Sequence, residues 1–202
     1  VATYPAGHPE TALALNNYAG VFKNLGRPAE ALPLFERALA ALEAAKGPDH
    51  PDLAETLMEL AEVRAALGDP AGARRDLERA HRILVAAGST PLDVAATLAA
   101  LASMMVEDGE IEGGVRQLRQ ALAMTIEKGG AAHPQIASIR ATLGAALIAK
   151  RDWAGARGQL EAAQAAFTAT VGADAVDASS STASMASFLD MPRAAASASA
   201  AS

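Results

Sequence analysis

Few residues in this chain have side chains able to do chemistry, and most of those recur at a fixed spacing. Histidine followed by proline occurs at His8-Pro9, His50-Pro51 and His133-Pro134, and the second pair is flanked by Asp49 and Asp52. An imidazole beside carboxylates is what a metal site or a general base would need. The spacing decides against both. His50 follows His8 by 42 residues and precedes His133 by 83, close to two such steps, and the intervening position holds Thr90-Pro91. A residue that accepts a hydrogen bond ahead of a proline is a helix start, and threonine replaces histidine there without loss. A metal ligand does not tolerate that exchange, so His8, His50, His133 and Thr90 are read as punctuation, with Asp49 a further candidate cap.

The remaining chemistry is sparse. His81 falls inside an expected helix, between Ala80 and Arg82, as a packing or surface residue. The serines at 179–181 have no histidine near them in sequence. No phosphate loop, dinucleotide fingerprint or His-Glu-x-x-His pattern is present. Cysteine is absent, which removes disulfides, thiolate metal sites and thiol nucleophiles. The expectation is a protein without catalytic residues, metal or cofactor.

The elements that hold these residues follow from the repeat. Of the 202 residues 51% are hydrophobic but only 3% aromatic, and alanine dominates, a composition that favours closely packed helices. Each copy has two halves. The first halves begin "HPETALALNNYAG", "HPDLAETLMELAE", "TPLDVAATLAALAS" and "HPQIASIRATLGA". Tyr18, Leu60, Leu101 and Leu143 align, each followed by a small residue (Ala19, Ala61, Ala102, Gly144). In the second halves Phe35, Leu77, Leu118 and Leu160 align, with Ala38, Ala80, Ala121 and Ala163 three residues on. Leu15, Tyr18, Ala19 and Phe22 fall on one helical stripe, as do Ala31, Leu34, Phe35, Ala38 and Leu42, so each copy reads as a pair of amphipathic helices. Gly26, Gly68 and Gly109 stop the first helix of three copies, and Pro28 and Pro70 open the second helix of two. Copy four has Arg151 in the glycine column, which predicts its least regular turn, with Trp153 placed to pack across it.

The boundaries read as a linker at 1–7, repeats at 8–49, 50–89, 90–132 and 133–174, a capping helix or decayed fifth repeat at 175–190, and a low-complexity tail at 191–202. The start "VATYPAGHPE" reads as the edge of an excised or processed fragment. The net charge of −6 leaves no basic stripe for phosphates, so nucleic acid is not an expected partner. No apolar run reaches the length of a membrane span.

The stretch "HPETALALNNYAGVFKNLGRPAEALPLFERALAALEAAKGPDHPDLAETL", with its His-Pro opening, "LNNYA" core and "AEALPLFERAL" second helix, resembles the tetratricopeptide repeat in its longer, kinesin-light-chain-like variety. The resemblance spans about residues 8–174; copies three and four keep the small-residue columns but lack the paired asparagines. It implies an all-α fold, a right-handed solenoid of antiparallel helix pairs with about four repeats and a C-terminal capping helix. It also implies a non-enzymatic adaptor that takes a peptide or helix of a partner protein into a concave groove lined by the first helices. Carried over residue by residue, the groove would hold Leu13, Asn16, Asn17, Gly20, Lys23 and Asn24 from copy one, and Glu55, Met58, Glu59 and Glu62 from copy two, with Arg64 near the edge. Copy three would add Ala96, Ala99, Ala100 and Ser103, and copy four Ser138, Ala141, Thr142 and Ala145.

Asparagine offers both a donor and an acceptor to a peptide backbone. The acidic strip of copy two, either open or balanced by arginines such as Arg74, Arg75 or Arg79, predicts a ligand with a basic residue there and an apolar portion over the small residues of copies three and four. Two other roles remain open. One is the sensor or regulatory arm of a larger bacterial enzyme or signalling protein, such as a caspase-like protease or a nucleotide-binding ATPase. The other is a self-associating scaffold. Arginine outnumbers lysine and alanine abounds, which suits a high-GC bacterial source; cytoplasm is the expected compartment.

Overall fold

A computed structural model describes residues 9–171, with the side chains of Pro9, Thr170 and Val171 left aside. The expected cap at His8, the segment at 175–190 and the tail at 191–202 lie outside the described residues. Within them are eight α-helices and no strand: α1 (Pro9–Asn24), α2 (Pro28–Lys46), α3 (Leu53–Ala66), α4 (Pro70–Ala86), α5 (Pro91–Glu107), α6 (Ile111–Gly129), α7 (Gln135–Ala149) and α8 (Trp153–Val171). Helix pairs fall where the two halves of each copy predict them. The chain forms two compact units that part inside α5, Val1–Thr97 and Leu98–Ser202.

In the first unit α1 packs on α2, α2 on α3 and α3 on α4, and α1 also touches α3. One core cluster joins Ala19, Ala31 and Phe35 of copy one to Leu60 and Val63 of α3. A second joins Leu53, Ala54 and Leu57 of α3 to Ala80, Ile83 and Leu84 of α4, with Leu39 and Leu42 of α2 and Val94 against it. The alanine columns therefore sit where two helices approach, and the leucines fill the space beside them. Phe35 is the one aromatic side chain fully buried in this core.

In the second unit α6 packs on α7 and α7 on α8. Leu118, Leu143, Leu147, Ile136, Ile139 and Leu160 carry its core. Gly114 marks a close approach: a Cβ there would lie 2.5 Å from Val106 Cγ2 and 2.8 Å from the Ala102 carbonyl oxygen, so α5 and α6 meet over a hydrogen atom.

The turns within pairs are alike in all four copies. Gly26, Gly68 and Gly109 have φ of 69°, 79° and 87°, and Arg151, in the same column, has φ of 63°. In copy two the N–H of Asp69 donates to the Arg64 carbonyl at 2.9 Å and that of Gly68 to Ala65 at 3.0 Å. In copy four Asp152 donates to Leu147 at 2.9 Å and Arg151 to Ile148 at 2.9 Å. The turn expected to be least regular is thus as regular as the others, because the paired carbonyl acceptors impose the left-handed residue even where no glycine supplies it. Trp153, half-buried, opens α8 where Pro28 and Pro70 open α2 and α4.

The second helices of copies two and four also have caps that the sequence reading passed over. Asp69 Oδ1 accepts the Gly72 N–H at 2.8 Å, and Asp152 Oδ1 accepts the Gly155 N–H at 2.9 Å. Each joins a side-chain oxygen to the third residue of its helix, the usual N-cap geometry.

Candidate functional site

The His-Pro positions come first, because they carried the candidate chemistry. His50 Nδ1 accepts the backbone N–H of Asp52 at 3.2 Å, and His133 Nδ1 accepts that of Gln135 at 3.4 Å. Thr90 Oγ1 accepts the N–H of Asp93 at 3.3 Å and donates to its carboxylate at 2.7 Å. All three act at a helix start, as the exchange of Thr for His implied. The details differ from expectation in one respect. Pro51 and Pro134 precede the first residues of α3 and α7, whereas Pro9 and Pro91 begin α1 and α5. The imidazole reaches two residues forward, which closes a tight turn ahead of the helix proper. Asp49 is exposed and caps nothing; Asp52 instead pairs with Lys46 at the end of α2, and that hydrogen bond holds its carboxyl below the usual range. Among the described residues no group of three or more His, Asp or Glu side chains could hold a metal ion.

The side chains proposed from sequence as groove-lining come from α1 and α3 in the first unit. These two helices are tied to each other by polar contacts. Thr56 Oγ1, almost fully buried, donates to Asn16 Oδ1 at 3.1 Å. Lys23 Nζ lies 2.6 Å from Glu59 Oε2 and 2.7 Å from Glu62 Oε2. Burial works against the Lys23 charge, but the two carboxylates outweigh it and raise the ammonium above its ordinary pKa. So α1 contributes one cation and α3 three carboxylates, Glu55 standing exposed beyond the ion-paired two.

This corrects the picture of the acidic strip. Lys23 is the counter-ion of Glu59 and Glu62, and Arg79 instead binds Glu43 at 2.6 Å and the Pro48 carbonyl at 2.7 Å, on the second-helix side. Arg64 is not at the edge of the first-helix face either. It reaches Glu36 of α2 at 3.1 Å and Asp76 of α4 at 3.0 Å. Asp76 is the more buried of the two acids, and burial raises its pKa despite Arg64. Met58 is half-buried against the Leu53–Leu57–Ile83 cluster. Gly20 is partly covered, with open space where a Cβ would stand, and Asn17 and Asn24 are exposed. Thr56 is the residue sequence reasoning missed; its signal was a hydroxyl in a stripe otherwise made of leucine and valine.

The first stripe assigned to copy one also needs correcting. Tyr18, expected in the core column, is 56% exposed, while Leu60 in the same column of copy two is 0% exposed. The column faces the preceding helix pair: Leu60 lies against Ala19, Ala31 and Phe35 of copy one, and no described pair precedes α1. Tyr18 instead stands edge-on to Phe22, with ring centroids 4.9 Å apart.

In the second unit Ala99, Ser103, Ala141 and Thr142 are half-buried and Ala145 is exposed. Thr142 Oγ1 donates to the Ser138 carbonyl at 3.1 Å, which leaves this surface weakly polar. His81 Nδ1 lies 2.9 Å from Thr97 Oγ1. Because the Thr97 hydroxyl donates to the Val94 carbonyl at 2.9 Å, the imidazole must be the donor, which fixes the Nδ1–H tautomer. His81 is a packing histidine.

Comparison with known proteins agrees with this architecture. Residues 10–84 match the family model described as the tetratricopeptide repeat. Among solved structures, a Podosopora anserina kinesin light chain with nearly identical tetratricopeptide-like repeats is 22% identical, with a TM-score of 0.67 over 90% of this chain and 85% of the other. A point variant of it gives 22% identity and a TM-score of 0.68 over 90% and 84%. BtubC (BKLC) from P. vanneervenii is 21% identical, with a TM-score of 0.71 over 87% of this chain and 68% of its own length. No curated protein matches the chain.

Proposed function

Because residues 10–84 match the tetratricopeptide-repeat model and the chain shares the fold of kinesin-light-chain-like repeat structures, a class that generally mediates protein–protein interaction, we propose that it is a non-enzymatic adaptor whose first-helix face on α1 and α3 holds a segment of a partner protein. The observation that carries this reading is the convergence on one face of side chains from two successive repeats: Asn16 with Thr56, and Lys23 with Glu59 and Glu62. These contacts fix the relative position of α1 and α3, so the exposed Asn17, Asn24 and Glu55 stand on a braced surface rather than on separately mobile helices. A preorganised surface loses less freedom on binding.

The charge of the face favours a partner segment with a lysine or arginine. Three carboxylates (Glu55, Glu59, Glu62) face one ammonium, Lys23, which leaves a deficit of two positive charges. Asn17 supplies an amide for the backbone of that segment. In the second unit Ala99, Ser103, Ala141, Thr142 and Ala145 supply a separate small-residue surface suited to an apolar side chain.

Peptide-display selection tests this, run in parallel on the wild-type chain and on an Asn17→Ala, Glu55→Lys variant. Both residues are exposed, so the variant keeps its fold. Enrichment of segments with a basic residue that vanishes on the variant is the expected result. Enrichment indifferent to the two changes, or of acidic segments, removes the first-helix face of α1 and α3 as the site.

A further inference from the structure

The turns that lead from one copy into the next are closed by two different chemistries. The backbone N–H of Asp93 is accepted by Thr90 Oγ1 at 3.3 Å, those of Asp52 and Gln135 by the Nδ1 atoms of His50 and His133 at 3.2 and 3.4 Å. A hydroxyl oxygen accepts at any ordinary pH. A ring nitrogen accepts only while it carries no proton, so these bonds require neutral imidazoles with their proton on Nε2. Histidine is the side chain whose charge changes between about pH 5 and 8. Once protonated, Nδ1–H faces the backbone N–H donor against donor, and the turn loses its acceptor.

The two histidine turns differ in what receives the new donor. In copy two Asp52 Oδ1 stands 3.6 Å from His50 Nδ1, and Lys46 holds the same carboxylate. Asp49 adds an exposed negative charge beside the ring. Arg79 ties the turn down from α4 through Glu43 and the Pro48 carbonyl. A protonated His50 therefore exchanges a hydrogen bond for an ion pair. In copy four every one of these charges is gone: Glu43, Lys46, Asp49, Asp52 and Arg79 align with Ile126, Gly129, Ala132, Gln135 and Ala162.

His133, half-buried, packs on the end of α6, where a Cβ on Gly129 would lie 2.7 Å from its Cδ2. Gln135 Oε1 is buried without a hydrogen-bond partner, so it does not hold the ring. The charges of the surrounding helices are engaged or distant. Glu127 and Lys128 pair with each other at 2.7 Å, and the other charges of α6, Glu112, Arg116 and Arg119, lie in its first half. Arg140 of α7 binds Gln159 at 3.0 Å. Helix α8 has no charge beyond Arg157 and Glu161, which stand 3.9 Å apart. Among the described residues no carboxylate is in reach of a protonated His133.

From this contrast we infer that His133 is a proton-operated latch at the start of α7: the neutral ring closes the turn out of α6 and the protonated ring releases it, while the turns at His50 and Thr90 hold. Helix α7 carries Ala141, Thr142 and Ala145, so acid loosens the small-residue surface of the second unit; that consequence alone rests on the adaptor reading above.

Nuclear magnetic resonance of the isotope-labelled full chain, with no ligand added, tests the latch separately from that reading. Long-range proton–nitrogen correlation should show neutral His133 as the Nε2–H tautomer. From about pH 8 to about pH 5 the protection of the Gln135 amide against solvent exchange should fall about 3–10-fold, the range for one hydrogen bond lost. The Asp52 and Asp93 amides keep theirs. His133→Thr, which copies the Thr90 turn, abolishes the fall, and Gln135→Asp, which restores the carboxylate of copy two, diminishes it. An Nδ1–H tautomer for neutral His133 overturns the inference. So does Gln135 protection that is indifferent to pH, or a fall that persists in His133→Thr or is undiminished in Gln135→Asp.

Discussion

Replacing Arg151 by glycine should make the last helix pair more stable. Arg151 holds φ of 63°, among the described residues the only left-handed one that is not glycine. A side chain in that region costs about 1–2 kcal/mol, from the Cβ crowding the following carbonyl. Glycine removes that cost but gives the unfolded chain more freedom, a penalty of about 0.5–1 kcal/mol. Arg151 is exposed, so no packing is lost. The net gain is about 0.5–1 kcal/mol, which at a urea slope of ~2 kcal/mol/M moves the midpoint up by about 0.2–0.5 M. Trp153, the single tryptophan, lies two residues away and reports the unfolding of this pair by its fluorescence. Gly68→Ala, at φ of 79° in the same column of copy two, is the reverse change and should lower the midpoint read by circular dichroism. An unchanged or lower midpoint for Arg151→Gly, with Gly68→Ala neutral, would refute the argument that this column demands a left-handed residue.

Three further outcomes follow from named contacts. Asp69→Ala removes the only side-chain cap at the start of α4 and should cost ~1 kcal/mol in urea unfolding, with Asp69→Ser recovering most of it. Gly114→Val places a side chain into Val106 and the Ala102 carbonyl, where backbone cannot yield; it should destabilise the second unit by about 2–3 kcal/mol and lower its melting temperature. His81 should make stability pH-dependent. Burial lowers its folded-state pKa, so the unfolded chain takes up the proton first as pH falls. Its contribution is complete above the ordinary histidine pKa and is lost as pH falls from there through the depressed folded value. The melting temperature of the wild-type chain should therefore drop more across that window than that of His81→Gln.

How much could be read beforehand depended on whether a feature belonged to a column or to one place. The helix pairs, the alanine columns and the capping role of His50, Thr90 and His133 were legible because four copies repeat them. Tyr18 was misjudged by the same logic: column membership says which face a residue is on, not whether a neighbour exists to cover it. Arg151 was misjudged because intrinsic preference pointed to an irregular turn, while two carbonyl-paired N–H groups set its geometry. The face shared by α1 and α3 was legible in its residues but not in their pairing. Which cation meets Glu59 depends on the stagger between two helices 36 residues apart in sequence, Lys23 to Glu59, and no periodicity reports that. Asn16 to Thr56 is hidden for the same reason.

The turn chemistry has a consequence for how such a chain can change. Asp69 with Gly72, Asp152 with Gly155, and the carbonyl-paired turns after α1, α3, α5 and α7 all close within a few residues of themselves. These particular start and stop signals each lie within their own repeat. A whole period of about 42 residues can then be duplicated or excised by a single genetic event with every helix still knowing where to begin and end. What such an event does not copy faithfully is the long-distance pairing: an extra repeat placed between α2 and α3 would part Lys23 from Glu59 and Glu62. Length is cheap for this architecture to vary, and the polar contacts between successive first helices are where each new length has to be relearned.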